Sequence, residues 1–390
     1  MRFIHTSDWH LGRYLRGRSL LDDQRELLLD EFLPLVRDEG AEAVIIAGDV
    51  YDRGVPPAAA VELFDEVLQR LNEAGVKVIY IAGNHDSAAR IDFGHGLLSR
   101  AGVYVRGRLN GPQLPPFVLE DEYGPVYVAL YPYAEPSQVR LAFQGTMPDE
   151  ELHKLDFIQA NALMVQAGRR DIPAGARTIA VAHGFIAGSQ TAGSETTLLV
   201  GGADQVAPSV YEGFSYTALG HIHRPQRAGA ENIRYSGSLM KYSFDEWKDE
   251  KGVLICDMDA QGQVGIKACP LAAPHDVQVV EGSLEDILHD REHYPASDAY
   301  TAVKLTDTQG GLGLRERLRS VYPNILELSL NVRTEHQSLE FTGQEMAHRS
   351  AFDVFGDFYQ HTRGKAMSPA QQEFIKSVMH DLQKEEGQEA

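Results

Sequence analysis

The sequence predicts an α/β protein: two sheets packed face to face and flanked by helices, followed by a small α+β capping domain and a helical C-terminal tail. Three observations predict it. Strand-like apolar runs alternate with helix-like stretches in the first half; connections shorten in the second; and the character changes again where Pro270 and Pro274 bracket a short linker.

Residues 3–6 form the first run. An amphipathic stretch follows over residues 22–39, with Leu27, Leu28, Phe32, Leu35 and Val36 at helical spacing and Pro34 placed to kink it. A run at 43–47, a helix near 57–74 and a run at 76–82 complete a strand–helix–strand–helix–strand pattern, which implies parallel strands. Runs at 126–133, 177–182, 216–219, 233–236 and 252–257 continue, with one helix near 152–168. Their shorter connections predict more antiparallel pairing in this half. Strands near 277–280, 301–305 and 325–332, with helices near 284–290 and 312–321, make a small β-α-β-α-β unit. Two helices, near 345–360 and 369–384, end the chain, the second opened by Ser368 as N-cap and Pro369 at its first position. The expected domains are 1–272, 273–336 and 337–390.

Composition bounds the function. At 390 residues, with 43% hydrophobic and 24% charged side chains, the chain is long enough for a sizeable core. No apolar run approaches the ~20 residues of a membrane span, and the N-terminus reads as a strand rather than a signal peptide. The two cysteines, Cys256 and Cys269, lack metal-ligand spacing and fit a reducing cytoplasm. A net charge of −20 argues against coating nucleic acid by bulk positive charge, but leaves room for a local grip. Arg13, Arg16, Arg18, Arg106, Arg108, Arg224 and Arg227 are the candidates for such a grip or for plain surface.

The chemistry lies in polar clusters that end the runs: Asp8-Trp9-His10, Gly48-Asp49-Val50-Tyr51-Asp52, Gly83-Asn84-His85-Asp86 and Gly220-His221-Ile222-His223, with His183 after a fifth run. The carboxyl edge of a sheet is where α/β proteins build sites. Asp8 and His10 stand two apart, so an extended backbone aims both to one side, and His221 and His223 repeat that spacing. Gly48 allows a tight turn before Asp49, whose two oxygens can bridge two ions. Asn84 offers its amide oxygen. Oxygen and nitrogen donors without thiolate suit Mn²⁺, Fe²⁺ or Zn²⁺. Two such ions about 3.5–4 Å apart serve phosphoester hydrolysis. His5, His95 and His153 share no pattern and read as structural or surface residues.

This set of motifs resembles the calcineurin-like metallophosphoesterase superfamily. The flanks, His5-Thr6-Ser7-Asp8-Trp9-His10-Leu11-Gly12, Ala218 to Gln226, Arg234-Tyr235-Ser236-Gly237-Ser238 and Ser243-Phe244-Asp245-Glu246, narrow the resemblance to bacterial DNA-nuclease subunits. It is strong over residues 1–260. The resemblance implies a Mn²⁺-dependent DNA exonuclease and endonuclease working with a coiled-coil ATPase. It implies one metal on Asp8, His10, Asp49 and His223 and another on Asp49, Asn84, His183 and His221. His85 becomes the non-ligand histidine that protonates the leaving oxygen or stabilises the transition state. Asp86 orients that loop or histidine. Asp52 departs from archaeal and eukaryotic relatives, which carry histidine there; its expected roles are to orient or tune His85, or to stabilise the loop. The resemblance also implies a homodimer through helices near 59–71 and 94–98. The aromatic-rich segment with Phe352, Val354, Phe355, Phe358 and Tyr359 would grip the ATPase or pack on the protein itself. The motifs alone leave open a phosphatase, a cyclic-nucleotide phosphodiesterase or a non-catalytic scaffold; a scaffold should have lost ligands, and none is missing.

Overall fold

The computed structural model describes residues 1–192, 194–195, 205–307, 313–330, 351–363 and 365–386. Two six-stranded sheets dominate. The first runs Val264–Pro270, Gly252–Met258, Arg2–Thr6, Ala43–Ile46, Lys77–Ile81 and Val103–Arg106. The second runs Gln226–Ala228, Ala230–Tyr235, Tyr216–Gly220, Arg177–His183, Gly124–Tyr131 and Phe117–Asp121.

Side-chain alternation explains the layering. Phe3, Ala43, Ile45, Ile79 and Ile81 point one way and meet Val126, Val128, Ile179, Val181 and Tyr216 of the other sheet. Ile4, Val44, Ile46 and Val78 point the other way, onto Leu27, Leu28, Phe32, Leu63 and Val67 of the helices. Leu219, Ala180 and Tyr131 likewise cover Met164 and Val139. Strands buried on both faces read as continuous apolar runs, which is why they were legible. Each buried Ile, Leu or Val contributes about 1.5–3 kcal/mol.

Pairing in the second sheet differs from the expectation. Its inner strands are parallel, and only its two outer pairs are antiparallel. The first sheet has the same balance, because Gly252–Met258 joins the N-terminal strand antiparallel. Connection length alone was a poor guide, since the helix Phe157–Arg169 makes one crossover between parallel strands.

Two helices differ in detail. The stretch from Leu21 to Asp38 is helical throughout, but residues Leu27–Phe32 form a π turn just ahead of Pro34. Proline clashes with the carbonyl four residues back, and a wider turn relieves that clash. The helix expected over 152–168 is two, Asp149–His153 and Phe157–Arg169. The Asp156 carboxylate accepts the Gln159 N–H at 2.7 Å and starts the second helix afresh.

Contacts divide the chain into two compact units, Met1–Lys304 with Gly311–Ser329, and Leu305–Gly310 with Leu330–Ala390. A three-stranded sheet of Val277–Gly282, Tyr300–Leu305 and Ile325–Leu330 carries the helices Leu284–His289 and Leu314–Arg319. In the second unit the helices Ala351–Arg363 and Pro369–Glu386 are described. Ser368 caps the latter as expected, its hydroxyl accepting the Gln371 N–H at 3.4 Å. Phe352, Phe355 and Tyr359 are half-buried; the side chains of Val354 and Phe358 and the expected helical residues 345–350 lie outside the described residues, as do 312 and 331–332. No helix among the described residues is long and apolar enough to cross a membrane.

His5 sits between the sheets, fully buried. It accepts from the Tyr216 hydroxyl at 2.9 Å and donates to the Leu219 carbonyl at 3.2 Å, which satisfies a neutral ring. Burial pushes its pKa down to about 3. An unfolded histidine takes a proton below about pH 6.5, whereas folded His5 stays neutral until about pH 3, so stability is lost as pH falls between those values. Urea denaturation should show wild type losing about 1.4 kcal/mol more than His5→Gln between about pH 7.5 and 5.5. Equal losses would remove His5 from the acid response.

Candidate metal centre

The polar clusters meet at one place. Arg2–Thr6, Ala43–Ile46 and Lys77–Ile81 are parallel neighbours and end together, as do Arg177–His183 and Tyr216–Gly220. Their following loops therefore share the carboxyl edge of both sheets.

The loops are not extended there, so the same-side spacing argument does not describe them. Asp8, His10, Asp49 and His221 have φ of 52°, 43°, 51° and 104°. Left-handed backbone costs a non-glycine residue roughly 1–2 kcal/mol, and such strain persists only where neighbours over-determine it. Here they do: Asp8 N–H donates to Gly48 O and His10 N–H to Asp49 O, each at 3.0 Å. The His221 N–H donates to both oxygens of Asp8, at 3.0 and 3.1 Å. Convergence comes from these paired turns rather than from strand pleat. Gly48 and Gly83 keep the loops close, since a Cβ on either would collide with His183 or with the Asp49 carboxylate.

Ligand-type atoms of Asp8, His10 and His223 lie within 4.8 Å of one another, and so do those of Asp8, Asp49 and His183. Asn84 Oδ1 is 3.0 Å from both His183 Nε2 and His221 Nδ1. The Asp49 carboxylate is central: Oδ2 lies 3.4 Å from His183 Nε2 and 3.6 Å from His10 Nε2. His10 Nε2 and His223 Nε2 face each other at 3.0 Å. Every expected donor is thus present in one cluster. The set fits divalent cations on its chemistry: buried carboxylates, an amide oxygen and imidazole nitrogens converge on one another, with no thiolate among them.

Charges within the cluster act strongly on one another. Burial raises the Asp8 carboxyl. Burial pulls Asp49 the same way, but His183 and His10 hold it far below the usual carboxylate range. Burial likewise lowers His183, yet the Asp49 charge lifts it to about 9. Burial puts His10 well below its ordinary value and His221 at about 3.

His85 stands at the rim. Its N–H donates to Asp49 Oδ1 at 2.9 Å, and its ring Nδ1 donates to the main-chain carbonyl of Asp52 at 2.9 Å. His85 itself lines the cleft. The hydrogen bond that orients it comes from the backbone of Asp52. The Asp52 carboxylate instead receives Arg13 at 3.0 Å and lies 3.8 Å from His10 Nδ1, a buried nitrogen with no hydrogen-bond partner. It also shares a 4.8 Å neighbourhood with His10 and His85. Asp86 accepts N–H bonds from Gly83, Val50 and Tyr51 at 2.9–3.1 Å, tying two loops together. Burial beside Asp49 raises its carboxyl to about 7.

Among the arginines singled out, only Arg13 lines the cleft with Asp49, Asn84, His85, His221 and His223. Arg106 is spent on the carbonyls of Leu130 and Pro115; Arg108, Arg224, Arg227 and Arg16 pair with Asp92, Asp249, Glu231 and Glu327. The sequence reading missed Ser194, Glu195, Glu246 and Lys251, which lie behind His223. The recurrence of Ser243-Phe244-Asp245-Glu246 in the resemblance was the one signal for any of them.

Known proteins share these features. Residues 1–225 match the calcineurin-like phosphoesterase family, and residues 273–363 match the Type 5 capsule protein repressor C-terminal domain. The SbcD subunit of nuclease SbcCD from Staphylococcus epidermidis is 30% identical over 388 residues, covering 99% of this chain and 100% of that protein. The crystal structure of TT1561 of Thermus thermophilus aligns at 16% identity over 68% of this chain and 98% of that one, with a TM-score of 0.34, too low to argue from.

Proposed function

The chain belongs to the calcineurin-like phosphoesterase family, a metal-dependent phosphoesterase family, and from that premise we propose that it is the nuclease subunit of a DNA-processing complex. It hydrolyses phosphodiesters, as an exonuclease on DNA ends and an endonuclease on single-stranded or hairpin DNA, in break processing, recombination and repair. The observation that carries the phosphodiesterase half is the convergence of all seven donors with His85 at the carboxyl edges of the two sheets. The whole-length likeness to a nuclease subunit carries the DNA half.

In this reading Asp8, His10, Asp49 and His223 would hold one divalent ion and Asp49, Asn84, His183 and His221 the other, with Mn²⁺ the favoured metal. The ions would supply positive charge for the phosphate oxygens and activate the attacking water. The protein's residues do the rest. His85, held through Nδ1–H by the Asp52 carbonyl, presents Nε2 to the leaving oxygen and, in the doubly protonated ring, gives up the Nε2 proton to it. Asp86 fixes the loop that carries Asn84 and His85. Arg13 faces the phosphate from the rim, with the Asp52 carboxylate setting its position.

The rest of the chain fits a complex. Residues 273–336 act as a DNA-binding cap and 337–390 as the segment that binds an SbcC-like coiled-coil ATPase. Val61 on the helix Ala58–Glu73, and Phe93 and Leu97 before and within the helix His95–Leu98, are exposed, which supports a homodimer through these two segments. Two free cysteines support a reducing cytoplasm, with nucleoid association during work on DNA.

Purified protein with Mn²⁺ is expected to degrade single-stranded and hairpin DNA, with EDTA abolishing the activity. Hydrolysis of a phosphomonoester or a cyclic nucleotide with no cleavage of DNA would replace the nuclease reading with that of a small-substrate phosphoesterase.

A further inference from the structure

The histidines of the cluster differ in what holds their outer nitrogen. His183 Nδ1 is held by the Ala47 carbonyl at 2.8 Å, and His10 Nδ1 has no partner. His223 alone among these has an outer nitrogen held by a chain of side chains. Its Nδ1 lies 2.8 Å from Ser194 Oγ, and Ser194 Oγ lies 2.7 Å from Glu246 Oε1.

The direction of that chain follows from chemistry. Glu246 is a carboxylate and only accepts. It takes Lys251 Nζ on Oε2 at 2.7 Å and the Ser243 hydroxyl on Oε1 at 3.1 Å. The single hydroxyl proton of Ser194 therefore goes to Glu246. Ser194 Oγ can then only accept from His223, so the His223 proton sits on Nδ1. Nε2 is left with its lone pair, facing His10 and the cluster at 3.0 Å. Lys251 closes the circuit by donating to the His223 carbonyl at 2.7 Å.

A fully buried carboxylate paired with a buried lysine needs an explanation, because such pairs seldom improve stability over apolar packing. We infer that Ser194 and Glu246 are positioning residues, which fix His223 as the Nδ1–H tautomer and aim its Nε2 lone pair at the divalent ion. Partners of this kind orient metal-bound imidazoles and are worth about 10–100-fold in affinity. The inference rests on the two-metal reading, and it gives the Ser243 to Glu246 motif a purpose outside the ligand set.

The test measures Mn²⁺ binding to the full chain by calorimetry, with no substrate present. Wild type should bind two ions. Ser194→Ala should bind one of them about 10–100-fold more weakly and the other unchanged, while Ser194→Thr restores both. Glu246→Gln should weaken the same ion, but it strands Lys251, so Ser194→Ala carries the test should that variant misfold. Nitrogen-15 spectra of the metal-free ring should show Nδ1–H in wild type and Ser194→Thr, and a tautomer mixture in Ser194→Ala. Two wild-type affinities together with an unchanged ring spectrum in Ser194→Ala would overturn the relay. Absence of Mn²⁺ binding in wild type would overturn the two-metal reading itself, and the relay with it.

Discussion

Asp49→Ala is expected to bring DNA hydrolysis to background and to remove both bound ions together. Asp49 is the residue nearest everything else: His85 N–H on one oxygen at 2.9 Å, with His183 and His10 within 3.4 and 3.6 Å of the other. Removing it takes a shared carboxylate from both proposed sites. The loss should therefore exceed the about 10²–10⁴-fold expected for removing a general acid alone. Mn²⁺ titration should show stoichiometry falling from two ions, while circular dichroism shows the sheets intact. Retention of full activity would sink the shared-carboxylate mechanism.

His85→Ala is expected to do the converse, losing about 10²–10⁴-fold in turnover while both ions still bind. In the structure His85 uses its backbone N–H and ring Nδ1 on Asp49 and Asp52, so its remaining nitrogen is available for substrate. If it protonates the leaving oxygen, the loss should shrink on bis-p-nitrophenyl phosphate, whose leaving group departs without a proton. An equal loss on both substrates would assign His85 to transition-state charge stabilisation instead. Asp52→Ala should leave the orientation of His85 largely intact, because the contact is to the main chain, and should act through Arg13.

The two predictions differ in how far the sequence could support them. Asp49 and its companions were visible as donor types at the ends of apolar runs, because strands buried on both faces must be apolar throughout and so stop abruptly where polar chemistry begins. Ala43 to Ile46 and Lys77 to Ile81 show this directly. Strand direction in the second sheet was not legible in this way, because it was read from connection length, which does not fix it, and the inner strands are parallel. Nor was the placement of Asp8, His10 and His221, whose left-handed backbone is imposed by bonds to loops distant in the chain.

What the sequence determined by itself was the set of candidate donor residues, the apolar layers and the phosphoesterase chemistry they imply. Tertiary structure alone decided which atoms of those residues meet: that Asp52 reaches His85 through its carbonyl, that Arg13, among the arginines singled out from the sequence, lines the cleft, and that Ser194 and Glu246 stand behind His223. The physical reason is one of range. Burial and residue type are local averages that a sequence records directly. A hydrogen bond of 2.8 Å between residues 194 and 223 depends on the relative placement of two loops, which only the packed sheets can set.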